Sequence, residues 1–265
     1  MADFLLNINP SAEQKRIVSF IKRVFKEQRF ENAVIGMSGG IDSATSISLL
    51  AKALPPKNIF VAHLYYFDSH IENIKPFLKQ VNIPQKNIYN ISIKDSVDTF
   101  QEALPNEILK QVQNDNRKIR LGNVMARIRM IILYDLAKKH NALVAGTENK
   151  SEDLLGYFTR FGDQASDLEP IQHLFKTQVY QLANYLGVPE NIINQAPTAG
   201  LWTGQTDEKE LGFSYKEADM VLYLYFEEKN SLSEIVGKGF KNAEKIIERV
   251  KKNEFKHRLP YGIKE

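Results

Sequence analysis

A glycine-rich turn, Gly36-Met37-Ser38-Gly39-Gly40-Ile41-Asp42-Ser43, stands between the apolar run Ala33-Val34-Ile35 and a helix-like run from Ala44 to Leu54. A strand that passes through glycines straight into a helix belongs to α/β architectures, and it constrains this chain more than any other stretch. It is also a ready anion site. Backbone N–H groups point outward at such a helix start, and the helix dipole favours negative charge there. Ser38 and Ser43 add hydroxyl donors. The lysine that a Walker A loop, G-x-x-x-x-G-K-[ST], sets beside nucleotide phosphates is missing. Asp42 stands in the turn instead, and a carboxylate beside phosphates serves chiefly as a Mg²⁺ ligand. The segment reads as a pyrophosphate cradle with a metal ligand built in.

The rest of the chain places that turn in a parallel sheet. Pro10 and Ser11 open a helical pattern with Ile17, Phe20, Ile21, Val24 and Phe25 on one face. After the first strand and its helix, closed by Pro55-Pro56, Asn58–Tyr66 reads as a second strand and Ile71–Val81 as a helix. Ile88–Ile93 reads as a third strand and Ser96–Leu104 as another helix. The polar stretch Pro105–Lys118 reads as a mobile loop. Arg120–His140 is a long helix, apolar over much of its circumference, as expected for burial on more than one side in a core or a subunit interface. Ala142–Gly146 is a fourth strand running into Thr147-Glu148-Asn149. Alternating strands and helices predict a parallel, Rossmann-like sheet with helices on both faces, its ligands at the carboxyl ends of the strands. Beyond Gly156, helices over Gln172–Leu186, Glu208–Leu211, Lys216–Glu228, Ser233–Val236 and Asn242–Lys252 read as a helical cap. With no long linker, residues 1–265 are expected to form a single domain.

Composition narrows the chemistry. The chain has 265 residues, no cysteine, and a net charge of +3 with its charges interleaved, so nucleic acid is not an expected partner. No apolar run approaches the ~20 residues of a membrane span, and Met1-Ala2-Asp3 does not begin a signal peptide. A cytoplasmic enzyme without a membrane partner is expected. Lack of cysteine excludes disulfides, thiolate metal sites and a cysteine nucleophile within this sequence.

The second polar segment, Gly146-Thr147-Glu148-Asn149-Lys150-Ser151-Glu152, follows the fourth strand, and Gly156-Tyr157-Phe158-Thr159-Arg160-Phe161-Gly162-Asp163 comes soon after. Glu152, Asp163 and Asp167 offer hard oxygen donors; Arg160 and Lys176 offer phosphate partners. The S-G-G-x-D-S turn resembles the signature of the N-type ATP pyrophosphatases, or PP-loop family, which split ATP to AMP and pyrophosphate. Together with R-L-G-N-V-M-A-R-I-R-M, G-T-E-N-x-S-E, G-Y-F-T-R-F-G-D, D-x-x-P-I, P-T-A and D-E-x-x-L-G-x-x-Y, the chain closely resembles the ammonia-dependent NAD synthetases over roughly residues 30 to 260.

That resemblance implies an adenine-nucleotide alpha-hydrolase-like fold and a homodimer. It also implies the Mg²⁺-dependent amidation of deamido-NAD, with ATP as co-substrate and ammonia as nitrogen donor, through an NAD-adenylate. By motif position, Gly36, Met37, Ser38, Gly39, Gly40, Ile41, Asp42 and Ser43 would hold ATP, with Thr147, Lys176 and Thr198. Asp42 and Glu152 would bind Mg²⁺. Arg127, Arg160, Asp167 and Lys256 would contact deamido-NAD. Lys176 would stabilise the departing pyrophosphate, and Asp167 would hold ammonium and accept its proton. The sequence departs from relatives at His63, where some carry arginine, and at Phe255-Lys256, where many carry His-Lys. Two alternatives stand beside this reading: the synthetase subunit of a glutamine-using complex with a separate glutaminase, and an RNA-modifying ATP pyrophosphatase. Residues Pro105–Lys118 and Gly200–Glu208 are expected to order on ligand binding.

Overall fold

Strict alternation along the strands explains why this chain makes a sheet covered on both faces. Ala33, Ile35, Ile59, Val61, Leu143 and Ala145 enter one apolar cluster, while Val34, Ala62, Leu64, Ala142 and Val144 enter another on the opposite face. The computed structural model describes residues 5–105, 114–202 and 204–257, and the side chains of 114–116 are outside that description.

The strands β1 (Asn32–Gly36), β2 (Ile59–Tyr65), β3 (Ile88–Ser92) and β4 (Ala142–Ala145) form one sheet in the order β3-β2-β1-β4. All three pairings are parallel, with Ile35 level with Val61 on one side and with Ala145 on the other. The helices α1 (Pro10–Gln28) and α2 (Ile41–Ala53) cover the first face with Ile17, Ile21, Phe25, Ile47 and Leu50. The helix α3 (Ile71–Gln80) adds Ile74 and Phe77 to the same cluster. The second face is covered by α4 (Lys94–Glu102) and α5 (Asn114–His140) through Val97, Met125, Leu136 and Ala137.

Because β2 and β3 lie on one side of β1 and β4 lies on the other, the strand order reverses between β1 and β4. Doubly wound sheets bind ligands in the crevice outside the carboxyl ends at such a switch point. The Gly36–Ser43 turn leaves β1 there, and the Gly146–Glu152 segment leaves β4 there.

The remaining helices are α6 (Lys150–Leu155), α7 (Lys176–Leu186), α8 (Glu190–Ile193), α9 (Asp207–Leu211), α10 (Tyr215–Phe226), α11 (Leu232–Gly237) and α12 (Ala243–Asn253). They supply the expected helical C-terminal part, with a third cluster built from Leu155, Phe175, Met220, Leu222 and Ile246.

Three expectations change. The helix expected from Gln172 begins at Lys176, because the Phe175 N–H donates back to Gln178 Oε1 (2.9 Å) and caps a helix that starts one residue later. Part of the expected loop Pro105–Lys118 is helix from Asn114, while residues 106–113 lie outside the described residues. The long helix α5 buries Met125, Leu136 and Ala137 but leaves Ile119 and Ile131 exposed, so within this chain it is not buried all round.

One buried carboxylate ties α10 to α6 and α7 within the helical part. Asp219 of α10 is fully buried and accepts from Ser151 Oγ of α6 (2.5 Å) and from the Thr177 N–H of α7 (2.8 Å). Ser151 Oγ accepts in turn from the Lys176 N–H (2.8 Å), so the start of α7 is held by two elements. Burial pushes the Asp219 carboxyl up to about 6 from the ordinary 3.8. The native state therefore binds the extra proton between those values, and the stability contributed by Asp219 is largest below 3.8 and falls as pH rises through about 6. Urea unfolding of Asp219→Ala is expected to give a loss of about 2–4 kcal/mol that shrinks from about pH 4 to about pH 7. A loss under about 0.5 kcal/mol at both would contradict this account of the tie.

Candidate active site

The cradle is built by β1 ending just before α2. Gly39 has φ +96°, a left-handed conformation that favours glycine and turns the chain sharply enough to aim the α2 N-terminus at the crevice. Gly40 caps α2 with no side-chain hydrogen bond, and the first N–H inside the helix to find a backbone acceptor is that of Ala44, on Gly40 O (3.2 Å). The serines rigidify the turn from within. Ser38 Oγ accepts from the Gly40 N–H (3.2 Å), while Ser43 Oγ donates to Gly40 O (2.9 Å) and lies 3.2 Å from Ser38 Oγ. Met37 is tied to β2 by its N–H on Ala62 O (2.9 Å), and its carbonyl meets His63 Nδ1 at 2.9 Å.

At the cradle, three charged groups from the starts of three helices meet. Lys176, only 2% exposed, donates its Nζ to Asp42 Oδ2 at 2.5 Å and to Glu152 Oε1 at 3.0 Å. Burial alone would lower the Lys176 pKa, but Asp42 and Glu152 reverse that and raise it, so the ammonium is firmly charged. Burial, together with Asp42, pushes Glu152 up to about 7 against the opposing pull of Lys176. Two carboxylates within reach of one point are held apart by the lysine between them, and each helix terminus contributes one member.

Asn149 sets this geometry. Its Oδ1 caps α6 by accepting from the N–H groups of Ser151 (3.0 Å) and Glu152 (3.1 Å), and its Nδ2 donates to Asp42 Oδ1 (3.0 Å). A single amide thus fixes Asp42 and the start of the helix that carries Glu152. Tyr215 lies beneath the lysine, with Nζ 5.2 Å from the ring centroid. Its hydroxyl donates to Asp207 Oδ2 (3.2 Å), and the Tyr157 hydroxyl lies 3.1 Å from Asp207 Oδ1 and 2.9 Å from Glu210 Oε2. Asp207, Tyr215, Tyr157 and Asn149 were not singled out from the sequence. The signal for Asn149 was legible, since N-K-S-E is a capping-box pattern at a helix start; Asp207 and Tyr215 begin and end D-E-x-x-L-G-x-x-Y and Tyr157 lies in G-Y-F-T-R-F-G-D, but those motifs gave them no role of their own.

The other expected site residues fall into separate places. Thr147 is half-buried at the end of β4, next to Gly146. Thr198 is exposed in the loop after α8, its Oγ1 accepting from the Gly200 N–H (3.1 Å). Arg127 is exposed on α5 and donates to Arg160 O (3.2 Å), and Arg160 lies over the Phe161 ring (4.8 Å to its centroid). Lys256 donates to Gly156 O (2.6 Å) and Phe158 O (2.9 Å), so Arg127, Arg160 and Lys256 gather on the 156–161 turn. Asp167 is committed to the sheet: Oδ2 accepts from the Val144 N–H at 2.7 Å. Arg129, two residues from Arg127, turns inward and donates to Leu64 O at the end of β2 (3.0 Å).

The same arrangement of chain is found in known proteins. A family model described as NAD synthase matches residues 13–260. A curated NH(3)-dependent NAD(+) synthetase of Fusobacterium nucleatum is 39% identical over 257 residues, covering 96% of each chain. Among solved structures, an NMN synthetase of Francisella tularensis is 32% identical with a TM-score of 0.79, covering 97% of this chain and 99% of its own. An NH3-dependent NAD synthetase of Campylobacter jejuni is 30% identical with a TM-score of 0.78, covering 97% of this chain and all of its own. Sheet order, cradle and sequence therefore lead to one conclusion: this chain belongs to the NAD synthase family.

Proposed function

We propose that this chain is a ligase that amidates deamido-NAD with free ammonia at the expense of ATP, yielding NAD, AMP and pyrophosphate. The observation that carries this reading is the Asp42–Lys176–Glu152 triad facing an uncapped helix start at the sheet's switch point. An oxygen of the substrate carboxylate attacks the α-phosphorus of ATP; the bond to the β-phosphate oxygen breaks, and pyrophosphate leaves with the electron pair. Ammonia nitrogen then attacks the carbonyl carbon of the NAD-adenylate. The C–O bond to AMP breaks, AMP takes that pair, and the nitrogen sheds a proton. No side-chain nucleophile is needed.

The N–H groups at the start of α2 and the ammonium of Lys176 would hold the pyrophosphate as its charge develops. Asp42 and Glu152 suit Mg²⁺, which takes one or two carboxylates and completes its shell with phosphate oxygens and water. Among the described residues no three acidic or histidine side chains form a larger metal cluster, so this two-carboxylate mode is the one that fits. Mg²⁺ bound there would neutralise charge on the departing pyrophosphate. Occupation of the two carboxylates would free Lys176 to turn toward the phosphates. Thr147 and Thr198 are proposed to complete the ATP site. Arg127, Arg160, Asp167 and Lys256 are proposed to meet the dinucleotide.

The whole chain is proposed to act as one unit, since Asp219 ties α10 to the helices bearing Glu152 and Lys176. A second copy is proposed to cover the exposed apolar residues Ile119 and Ile131 of α5. No helix among the described residues is long and apolar enough to cross a membrane, and cytoplasmic action is proposed.

Chromatography of reactions holding ATP, Mg²⁺, deamido-NAD and ammonium is expected to show NAD, with glutamine unable to replace ammonium because the chain has no cysteine. Nicotinic acid mononucleotide, run in parallel, is expected to be the poorer acceptor; the opposite preference would move the reading toward the NMN synthetase that this chain resembles. Lys176→Met is expected to slow pyrophosphate release by about 10²–10³-fold. A rate within about threefold of the parent would remove the triad from the mechanism.

A further inference from the structure

Behind the triad lies a second group of carboxylates with a different character. Glu148 sits between Thr147 and Asn149, and only 7% of it is exposed. Both of its carboxylate oxygens are buried with no hydrogen-bond partner. Buried carboxylates are ordinarily paired or hydrogen-bonded, since an isolated one is expensive to hold. Its own N–H donates to Glu169 Oε2 (3.0 Å), so a second carboxylate is anchored beside it. Glu169 Oε1 accepts from Ser166 Oγ (2.7 Å) and lies against the backbone of Gly146, where a Cβ would approach it to 1.8 Å. That close approach explains the glycine at residue 146 and holds Glu169 in place.

The charges around Glu148 are chiefly negative: Glu169, Asp153, Glu152 and Asp163 all act to raise its pKa. Lys256 feels the charge of Glu148, but its Nζ hydrogen bonds go to the carbonyls of Gly156 and Phe158. Asp153 has partners of its own in Gln172 (3.4 Å) and His257 (3.4 Å). Burial and these neighbours push Glu148 up to about 10 and Glu169 up to about 8. Glu148 lacks only a small cation, and it lies between the proposed ATP-binding Thr147 and Asn149, which holds Asp42.

We propose that Glu148, with Glu169, is a buried ammonium site that stores the nitrogen donor at the back of the crevice. The inference rests on the ammonia-dependent reading above. Ammonium fits because it supplies one positive charge and N–H donors together, which are what the two orphaned oxygens of Glu148 lack. Release is a proton transfer: one N–H bond of ammonium breaks with its electron pair left on nitrogen, and the proton forms an O–H bond on Glu148. The neutral ammonia then moves to the NAD-adenylate. This role moves the proton acceptor from Asp167, whose Oδ2 is already occupied by the Val144 N–H.

Steady-state kinetics with ammonium chloride as the varied substrate test the proposal. Glu148→Gln is expected to raise the KM for ammonium about tenfold or more and to lower kcat with it, because the amide cannot take the proton, while the KM for ATP stays within about twofold of the parent. Glu169→Gln is expected to move the ammonium KM in the same direction, and it serves if Glu148→Gln does not fold. An ammonium KM within about twofold of the parent in both variants overturns the proposal. So does potassium chloride stimulating the parent at saturating ammonium and losing that effect in Glu148→Gln, which would make the site one for a structural cation. Failure of the parent to form NAD at any ammonium concentration would be a failure of the function itself, and it is read separately in the unmutated chain.

Discussion

A lysine ammonium held between two carboxylates, deep in a crevice, is the interaction on which the rest of this structure depends. Lys176 is almost wholly buried, and a charge in that position survives only because Asp42 and Glu152 flank it. To bring these residues together the fold must deliver three helix starts to one point: α2 after β1, α6 after β4, and α7 behind both. The reversal of strand order between β1 and β4 opens the space. Asn149 and Asp219 then fix the registers, one by spanning α6 and Asp42, the other by holding Ser151 and the first turn of α7.

A buried pair of this kind contributes little net stability, because desolvation offsets much of the Coulombic attraction. Its value is positional. Two carboxylates held at one point, with a cation that can be displaced from between them, suit a site where a divalent ion and a polyphosphate arrive together. The helix start of α2 faces that point without a side-chain cap, and the glycine at residue 39 makes the turn possible. The proposed reaction calls for what this arrangement offers: a firmly charged lysine and an uncapped helix start facing one point, where pyrophosphate is proposed to depart. Behind it, Glu148 and Glu169 would place the second reactant on the far side of the same loop.

The cradle, the four strands and the helices on both faces were legible in the sequence, because period-two alternation and the S-G-G-x-D-S turn are local signals. The pairing of Asp42 with Glu152 followed from motif order, and the structure brings both onto Lys176. Other features were not legible. Nothing local distinguishes Lys176 at a helix start from a solvated lysine inside a longer helix; the difference is made by Gln178 folding back on Phe175. Asp207 and Tyr215 were visible only as the ends of D-E-x-x-L-G-x-x-Y, and their place beside Lys176 comes from packing of the helical part. Glu148 could be read as one more acid in a polar segment until its burial was seen. Asp167, read as holding ammonium and accepting its proton, has one carboxylate oxygen on the Val144 N–H, a contact that no local pattern announced.

Isotope tracing tests the central claim most directly, because it reports which bond of ATP is cut and by which oxygen. Deamido-NAD labelled with ¹⁸O in its nicotinate carboxylate would be turned over with ATP, Mg²⁺ and ammonium, and the products analysed by mass spectrometry. Attack of the carboxylate on the α-phosphorus predicts one labelled oxygen in AMP and none in pyrophosphate. Label in pyrophosphate or phosphate, or AMP formed without label, would contradict it.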